Sequence, residues 1–262
     1  MNITLVQQDV VKADKAANFR TTRRLVERVV KQEARPGLIV LPELWSTGYA
    51  LQDLATLASE NGDDEAEFLG EIARAYGVWF AGGSVAAKTV DGIVNRAQVI
   101  NTKGELVTQY DKIHLVPMFH EDRYLIGGTK ICKYEIESRH IGLAICYDLR
   151  FCELLHNLRL SGAEILIISG QWPMKRITHW QILLRARAIE NQCFVIGVNA
   201  AGTRDGHGGN SMAVAPDGRI LTELGVEESY ATVSLDLDEV AEVRKAIPVV
   251  DGRKPDLYRN MG

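Results

Sequence analysis

Gly142-Leu-Ala-Ile-Cys-Tyr-Asp-Leu-Arg-Phe151 brings an apolar run, Ile141 to Ile145, directly up to a cysteine and a chain turn. A run without polar alternation predicts a strand buried on both faces, and Asp148 followed by Phe151-Cys-Glu-Leu-Leu155 predicts the N-terminal end of a helix. Strand, sharp turn and helix together display a nucleophile. A thiol at Cys146 would lie near unpaired backbone N–H groups and the positive end of a helix dipole, which favour a thiolate and the oxyanion it creates. The same stretch also suits an inert packed cysteine, so its chemistry depends on what shares the edge with it.

Working outward, β and α patterns alternate. Ile3 to Asp9 reads as a strand, Asn18 to Lys31 as an amphipathic helix, and Gly37 to Leu41 as a second buried strand broken by Pro42, which leaves Glu43 at its C-terminal edge. Glu65 to Tyr76 reads as a helix and Val78 to Ser84 as a strand, then Gly92 to Asn101 and Leu106 to Tyr110 as a strand pair. Asp111 to Pro117 is a strand end carrying Lys112. Downstream, Tyr134 to Ile136, Ile141 to Ile145, Glu164 to Ser169 and Phe194 to Asn199 read as strands, with helices at Glu153 to Leu160 and His179 to Asn191. Ser211 to Ala215, Ile220 to Glu223 and Ala231 to Leu235 complete the strands. So many hairpin-like pairs exceed what a doubly wound fold needs and predict two packed sheets with helices outside. The glycine-rich loop 202–209 lacks the spacing of a phosphate cradle and is expected to be a mobile connection. The segment 238–262, too short for a core of its own, is expected to pack as a C-terminal arm on the single domain 1–262 or on a partner.

The 262 residues are 46% hydrophobic and 24% charged, ample for one large core. The formal net charge of −4, with no basic block, argues against nucleic acid or an anionic membrane as the main partner. A start without a basic and apolar leader, and the lack of any run of about 18 apolar residues, predict a soluble, cytoplasmic protein. The four cysteines lie in or beside apolar runs without C-x-x-C spacing, and the six histidines show no metal-like spacing, so reduced thiols and no metal site are expected.

Three strands end in a reactive group: Glu43 after Pro42, Lys112 after Asp111 and Cys146 before Tyr147. An acid, a cation and a thiol are complementary, since a carboxylate can take the thiol proton while an ammonium and a backbone N–H hold an oxyanion. Leu41-Pro-Glu-Leu-Trp45, Tyr110-Asp-Lys-Ile-His-Leu115 and Ile145-Cys-Tyr-Asp-Leu-Arg-Phe151 resemble, in order, the three catalytic motifs of the nitrilase (carbon–nitrogen hydrolase) superfamily. Gln171-Trp-Pro173, His179-Trp180, Leu184 to Asn191 and Ser211 to Gly218 extend the likeness over nearly the whole chain, toward the ω-amidase branch.

That resemblance implies an α/β fold of four αββα layers, assembled as a homodimer and working without a cofactor. It also implies that Glu43 is the general base, Lys112 the oxyanion-holding cation and Cys146 the nucleophile. Glu121, in Met118-Phe-His-Glu-Asp-Arg123, matches the second glutamate that orients Lys112 and the attacking water. The implied reaction is hydrolysis of a small ω-monoamide of a dicarboxylate, such as 2-oxoglutaramate, to the acid and ammonia through a thioester. The N–H of Tyr147 would share the oxyanion, and Tyr49 and Trp172 would line the pocket. Arg150 could grip a substrate carboxylate in bidentate fashion or pair with Glu153. Cys152 stands where family members usually carry proline; it reads as a tolerated substitution that places a second thiol near the first. The alternatives are an amidase for deaminated glutathione or an N-carbamoyl compound, and, from another class, a non-catalytic metabolite-binding thiol sensor.

Overall fold

The computed structural model describes residues 1–32, 36–202 and 206–258. Six strands come first: β1 (Asn2–Gln7), β2 (Leu38–Val40), β3 (Ser59–Glu60), β4 (Trp79–Thr89), β5 (Gly92–Ile100) and β6 (Leu106–Asp111). Six more follow: β7 (Cys132–Ile136), β8 (Arg139–Ile145), β9 (Ile165–Gly170), β10 (Phe194–Asn199), β11 (Met212–Val214) and β12 (Ile220–Glu223); β13 (Ser229–Ser234) is last. The first group and β13 form one sheet, in the order β13-β1-β2-β4-β5-β6 with β3 beside β4, and the second group forms another, in the order β12-β11-β10-β9-β8-β7. Pairing is parallel at the centres (β1 with β2, β2 with β4, β8 with β9, β9 with β10) and antiparallel toward the edges. Central strands such as β9 and β10 are buried throughout, as their unbroken apolar runs require.

Helices cover the outer faces. The helices α1 (Lys15–Val29), α2 (Leu54–Leu57) and α3 (Asp63–Tyr76) belong to the first half. Leu25, Val26 and Val29 of α1 and Leu69, Ile72 and Ala73 of α3 share one apolar cluster with Val6, Ile39 and Phe80 of the first sheet. On the second sheet lie α4 (Cys152–Leu160) and α5 (Ile177–Asn191), through Leu154, Leu155, Leu158, Trp180, Leu184 and Ala188. Between the sheets Leu5, Val40 and Val99 meet Ile145, Ile167 and Val198. The layers are therefore helix, sheet, sheet, helix, as the excess of strands predicted.

The differences are local. The strand read as ending at Ser84 continues to Thr89, because the register slips between Ala81 and Ser84 and the chain resumes pairing beyond the bulge. Gly83 sits in that bulge at φ +62, where a Cβ would stand 2.1 Å from the Pro42 carbonyl oxygen. One-turn helices at Pro117–Phe119, Glu121–Arg123, Cys146–Arg150 and Met174–Arg176 carry no signal in apolar periodicity and were not foreseen. Helix α6 (Asp238–Ala246) opens the C-terminal segment; Val240 is buried, and Arg244 donates to the Ala163 carbonyl at 2.6 Å. Residues 203–205 of the loop at 202–209 and 259–262 of the C-terminal segment lie outside the described residues.

Candidate active site

Glu43, Lys112, Glu121 and Cys146 converge at one edge of the sandwich, all buried. Each is delivered by a separate backbone device. The Glu43 segment leaves β2 through Pro42 and is stitched over the β4 bulge, where Ser84 N donates to Pro42 O at 3.1 Å and Trp45 N to Ser84 O at 3.0 Å. It also ties the two sheets together, because Gln171 N, just after β9, donates to Glu43 Oε2 at 2.9 Å. Lys112 follows β6; its N–H donates to Asn95 O at 2.9 Å and its carbonyl accepts from Gly128 N at 2.8 Å. Glu121 opens a one-turn helix whose preceding residue, His120, takes φ +55.

Cys146 follows β8 at φ +47, a left-handed conformation that a β-carbon makes costly by about 1–2 kcal/mol. Asp148 holds this turn. Its Oδ2 accepts from Ile145 N at 3.0 Å and Tyr110 Oη at 2.7 Å, while its Oδ1 accepts from His114 N at 3.0 Å and lies 2.7 Å from His114 Nδ1. Asp148 was expected to open the following helix. Instead α4 starts at Cys152 without a side-chain cap, and Asp148 locks the nucleophile turn to the segment bearing Lys112.

At the centre, Lys112 Nζ donates to Glu43 Oε1 at 2.9 Å and to Glu121 Oε1 and Oε2 at 2.9 and 3.1 Å. Asn95 Nδ2 adds a bond to Glu43 Oε1 at 2.8 Å. Glu121 accepts from Val116 N at 2.6 Å and from the Tyr49 hydroxyl. Burial works against the Lys112 charge, but Glu43, Cys146 and Glu121 overcome it and hold the ammonium well above its ordinary range. Burial, with Glu43 adding to it, raises the carboxyl of Glu121 despite Lys112. Burial also pushes the Cys146 thiol well above its usual value, and the charge of Glu43 and a hydrogen bond to it push the same way. These surroundings favour the thiol over the thiolate, against the pull of the turn and helix dipole.

Cys146 faces a small cavity of about 30 Å³ that Tyr49, Tyr147, Arg150 and Trp172 also line. Through shared walls at Tyr49, Phe119, Gln171 and Pro173 it adjoins an outer cavity of about 450 Å³. The Arg150 guanidinium lies over the Trp172 ring at 4.6 Å and near the Tyr147 ring at 5.8 Å, with Nη2 3.4 Å from His179 Nδ1. No Arg150–Glu153 ion pair forms among the described residues; Glu153 Oε2 instead accepts from Cys152, whose thiol is exposed while Cys146 is buried. The sequence reading does not place Asn95 at all, and it takes Gln171 only as part of the family likeness and Asp148 only as a helix start. For Asn95 a signal existed, a polar side chain amid the apolar positions of a strand.

Among the described residues no three His, Cys, Asp or Glu side chains gather as a metal site, and no helix is long and apolar enough to cross a membrane. The family model described as carbon-nitrogen hydrolase matches residues 2–245. A 2-oxoglutaramate amidase of Bacillus subtilis (strain 168) is 37% identical over 258 residues, 98% of each chain. A protein named hydrolase in agr operon, from Staphylococcus aureus, is 38% identical across 99% of this chain and 100% of its own. Among solved structures, Saccharomyces cerevisiae Nit3, a member of branch 10 of the nitrilase superfamily, superposes with a TM-score of 0.89 at 28% identity, covering 95% of this chain and 94% of its own. A mutant of the amidase from Nesterenkonia sp. AN1 that shows Michael addition of acrylamide at the active-site cysteine superposes at 0.86 with 26% identity, over 99% of both chains. With its sheets, helices and motifs in the same arrangement, the chain belongs to the carbon-nitrogen hydrolase family.

Proposed function

We propose that this hydrolase is a cysteine amidase that converts a short ω-monoamide of a dicarboxylate, 2-oxoglutaramate first among them, to the acid and ammonia. The observation that carries the reading is the buried group in which Lys112 bridges Glu43 and Glu121 and Cys146 is buried at the same edge. Glu43 takes the thiol proton as Sγ attacks the amide carbon. The oxyanion forms beside Lys112 Nζ and the N–H of Tyr147, which stands in the first turn of a one-turn helix, where backbone donors have no intrahelical partner. Collapse expels ammonia with the proton returned through Glu43, and Glu43 then activates water to cleave the thioester. Glu121 holds Lys112 in place.

Arg150, half-buried on the cavity wall with no carboxylate partner among the described residues, would receive the substrate carboxylate. The 2-oxoglutaramate amidase relative supports the same substrate. The outer cavity favours a second reading, a longer amide such as deaminated glutathione. A homodimer built on the exposed Ile182 and Ile189 of α5, a single domain with a C-terminal arm, and a cytoplasmic setting belong to the same proposal.

The test is ammonia release from 2-oxoglutaramate with Cys146→Ala as the blank and deaminated glutathione as competitor. Release that the variant abolishes supports the ω-amidase. Turnover of deaminated glutathione alone moves the substrate, and silence on both favours the non-catalytic thiol sensor.

A further inference from the structure

Arg176 lines the same small cavity as Cys146 and Arg150, yet among the described residues its side chain has neither an ion pair nor a hydrogen bond. Some half-buried arginines meet carboxylates, Arg96 with Asp111 at 2.7 Å and Arg139 with Glu164 at 3.0 Å, while Arg159 and Arg244 do not; what sets Arg176 apart is its place on the cavity that Cys146 faces. The acids near the cavity cannot serve Arg176, since Glu43 and Glu121 are already engaged by Lys112, Asn95, Gln171, Val116 and Tyr49. Two guanidinium groups thus share one wall of a small cavity without a counter-charge, and such a wall lowers its energy by taking up an anion.

The two arginines are built around one ring. Trp172 carries the Arg150 guanidinium on its face at 4.6 Å, and its Nε1 donates to the Arg176 carbonyl at 2.8 Å, pinning the turn that bears Arg176. Arg176 also occupies the cap of the 15-residue helix α5, which has no side-chain cap and no acidic residue in its first turn, so the helix adds positive potential on the same side.

We propose that Arg176 is a specificity-determining residue. With Arg150 it receives the end of the substrate opposite the amide, and it selects ends with two neighbouring acceptors, a carboxylate next to a carbonyl, over a lone carboxylate or a methyl group. One guanidinium takes the carboxylate in bidentate fashion and the second bonds the adjacent oxo group, a division that a single planar fork does not satisfy. This deepens the ω-amidase reading and rests on it.

The test compares kcat/KM of wild type, Arg176→Gln and Arg176→Lys on three primary amides of equal chain length: 2-oxoglutaramate, glutaramate and pentanamide. In the Gln variant the preference for 2-oxoglutaramate over pentanamide falls at least tenfold, mainly through KM, and the preference for 2-oxoglutaramate over glutaramate falls with it. The Lys variant recovers part of both. Inhibition of pentanamide turnover by 2-oxoglutarate weakens at least tenfold in the Gln variant, a readout independent of turnover of any carboxylate amide. Equal losses on all three amides would assign Arg176 a structural role, and unchanged ratios would remove it from substrate binding; either overturns the proposal. Wild-type enzyme that hydrolyses pentanamide but neither carboxylate amide would instead defeat the ω-amidase reading, whatever Arg176 does to inhibition.

Discussion

Replacing Asp148 by Asn changes almost no volume, yet it should cost about 2–4 kcal/mol of stability and much of the activity. The two carboxylate oxygens lie among four donor groups: Ile145 N and Tyr110 Oη at one, His114 N and His114 Nδ1 at the other. An amide must present its NH2 to one of these pairs. At the Oδ2 position the Tyr110 hydroxyl can rotate to accept, but Ile145 N–H loses its partner; at the Oδ1 position the His114 ring can change tautomer, but His114 N–H is stranded. Either way a buried backbone donor is orphaned, at about 1–3 kcal/mol, and the remaining bonds lose their charge assistance, roughly half their strength. The bonds to Ile145 and His114 also fix where Cys146 stands relative to Lys112, and a misplacement of about 1 Å at a reacting atom costs on the order of 100-fold in rate. Urea unfolding followed by tryptophan fluorescence gives the stability change from the midpoint at constant slope, and ammonia release gives kcat. An Asn variant within about 0.5 kcal/mol of wild type and fully active would refute the idea that Asp148 holds the nucleophile turn.

Glu43→Gln keeps one acceptor oxygen, which can serve Asn95 and Lys112 or Gln171 N but not both, and no longer takes a proton; far-UV circular dichroism should still show a folded chain while kcat/KM falls by about 100- to 10,000-fold, and near-normal turnover would remove Glu43 from the mechanism. Because burial and Glu43 raise the Cys146 thiol, thiolate absorbance at 240 nm, taken as wild type minus Cys146→Ala, should show no step below pH 9, and a step near pH 7 would contradict the resting thiol. The sign for stability follows: a raised folded value stabilises below the unfolded thiol value of about 8.5 and the contribution is lost as pH rises above it, so Cys146→Ala should lose less stability than wild type on going from pH 8 to 10. Gly83→Ala combines φ +62 with a Cβ 2.1 Å from the Pro42 carbonyl oxygen. A loss of roughly 2–4 kcal/mol in thermal or urea unfolding is expected, with reduced activity through the Glu43 loop, and a variant as stable as wild type would show that the loop shifts freely.

What could be read from residues alone divides along a physical line. Glu43 and Cys146 each close an apolar run, and an apolar run predicts a buried strand whatever its surroundings, so those elements and their reactive ends are visible; Lys112, after the mixed strand Leu106-Val-Thr-Gln-Tyr-Asp111, stands out through its motif. Asp148 was not, since an Asp ahead of Cys-Glu-Leu-Leu looks like a helix cap. Its real partners, Tyr110 and His114, lie 38 and 34 positions earlier in the chain, and no local pattern records a bond of that span. The pull on the thiol is hidden for a related reason: a turn and a helix end favour thiolate, but the opposing burial beside Glu43 depends on β2 arriving at the same place as β8. Arg176 carries no sequence signal, because an arginine whose only neighbours are apolar or solvated looks the same whether or not a cavity lies beside it.

The charges of the buried group account for why Lys112 is not itself the base. With burial opposed by Glu43 and Glu121, its ammonium is held above its ordinary range and keeps its proton through the pH of the reaction. Counting Cys146 as a thiol and both glutamates as carboxylates, the group bears one net negative charge. In the proposed attack the thiol proton moves to Glu43 as negative charge appears on the substrate oxygen. The net charge is unchanged, and only its location shifts, from one neighbour of the Lys112 ammonium to another. Little has to reorganise around that cation as the tetrahedral intermediate forms, which is the condition under which a fixed charge lowers a barrier. Glu121, bonded to Lys112 Nζ through both oxygens, gives the cation a second partner while it turns toward the oxyanion. In the proposed mechanism the two glutamates on one lysine therefore have different tasks, Glu43 passing a proton and Glu121 holding the cation beside the oxyanion.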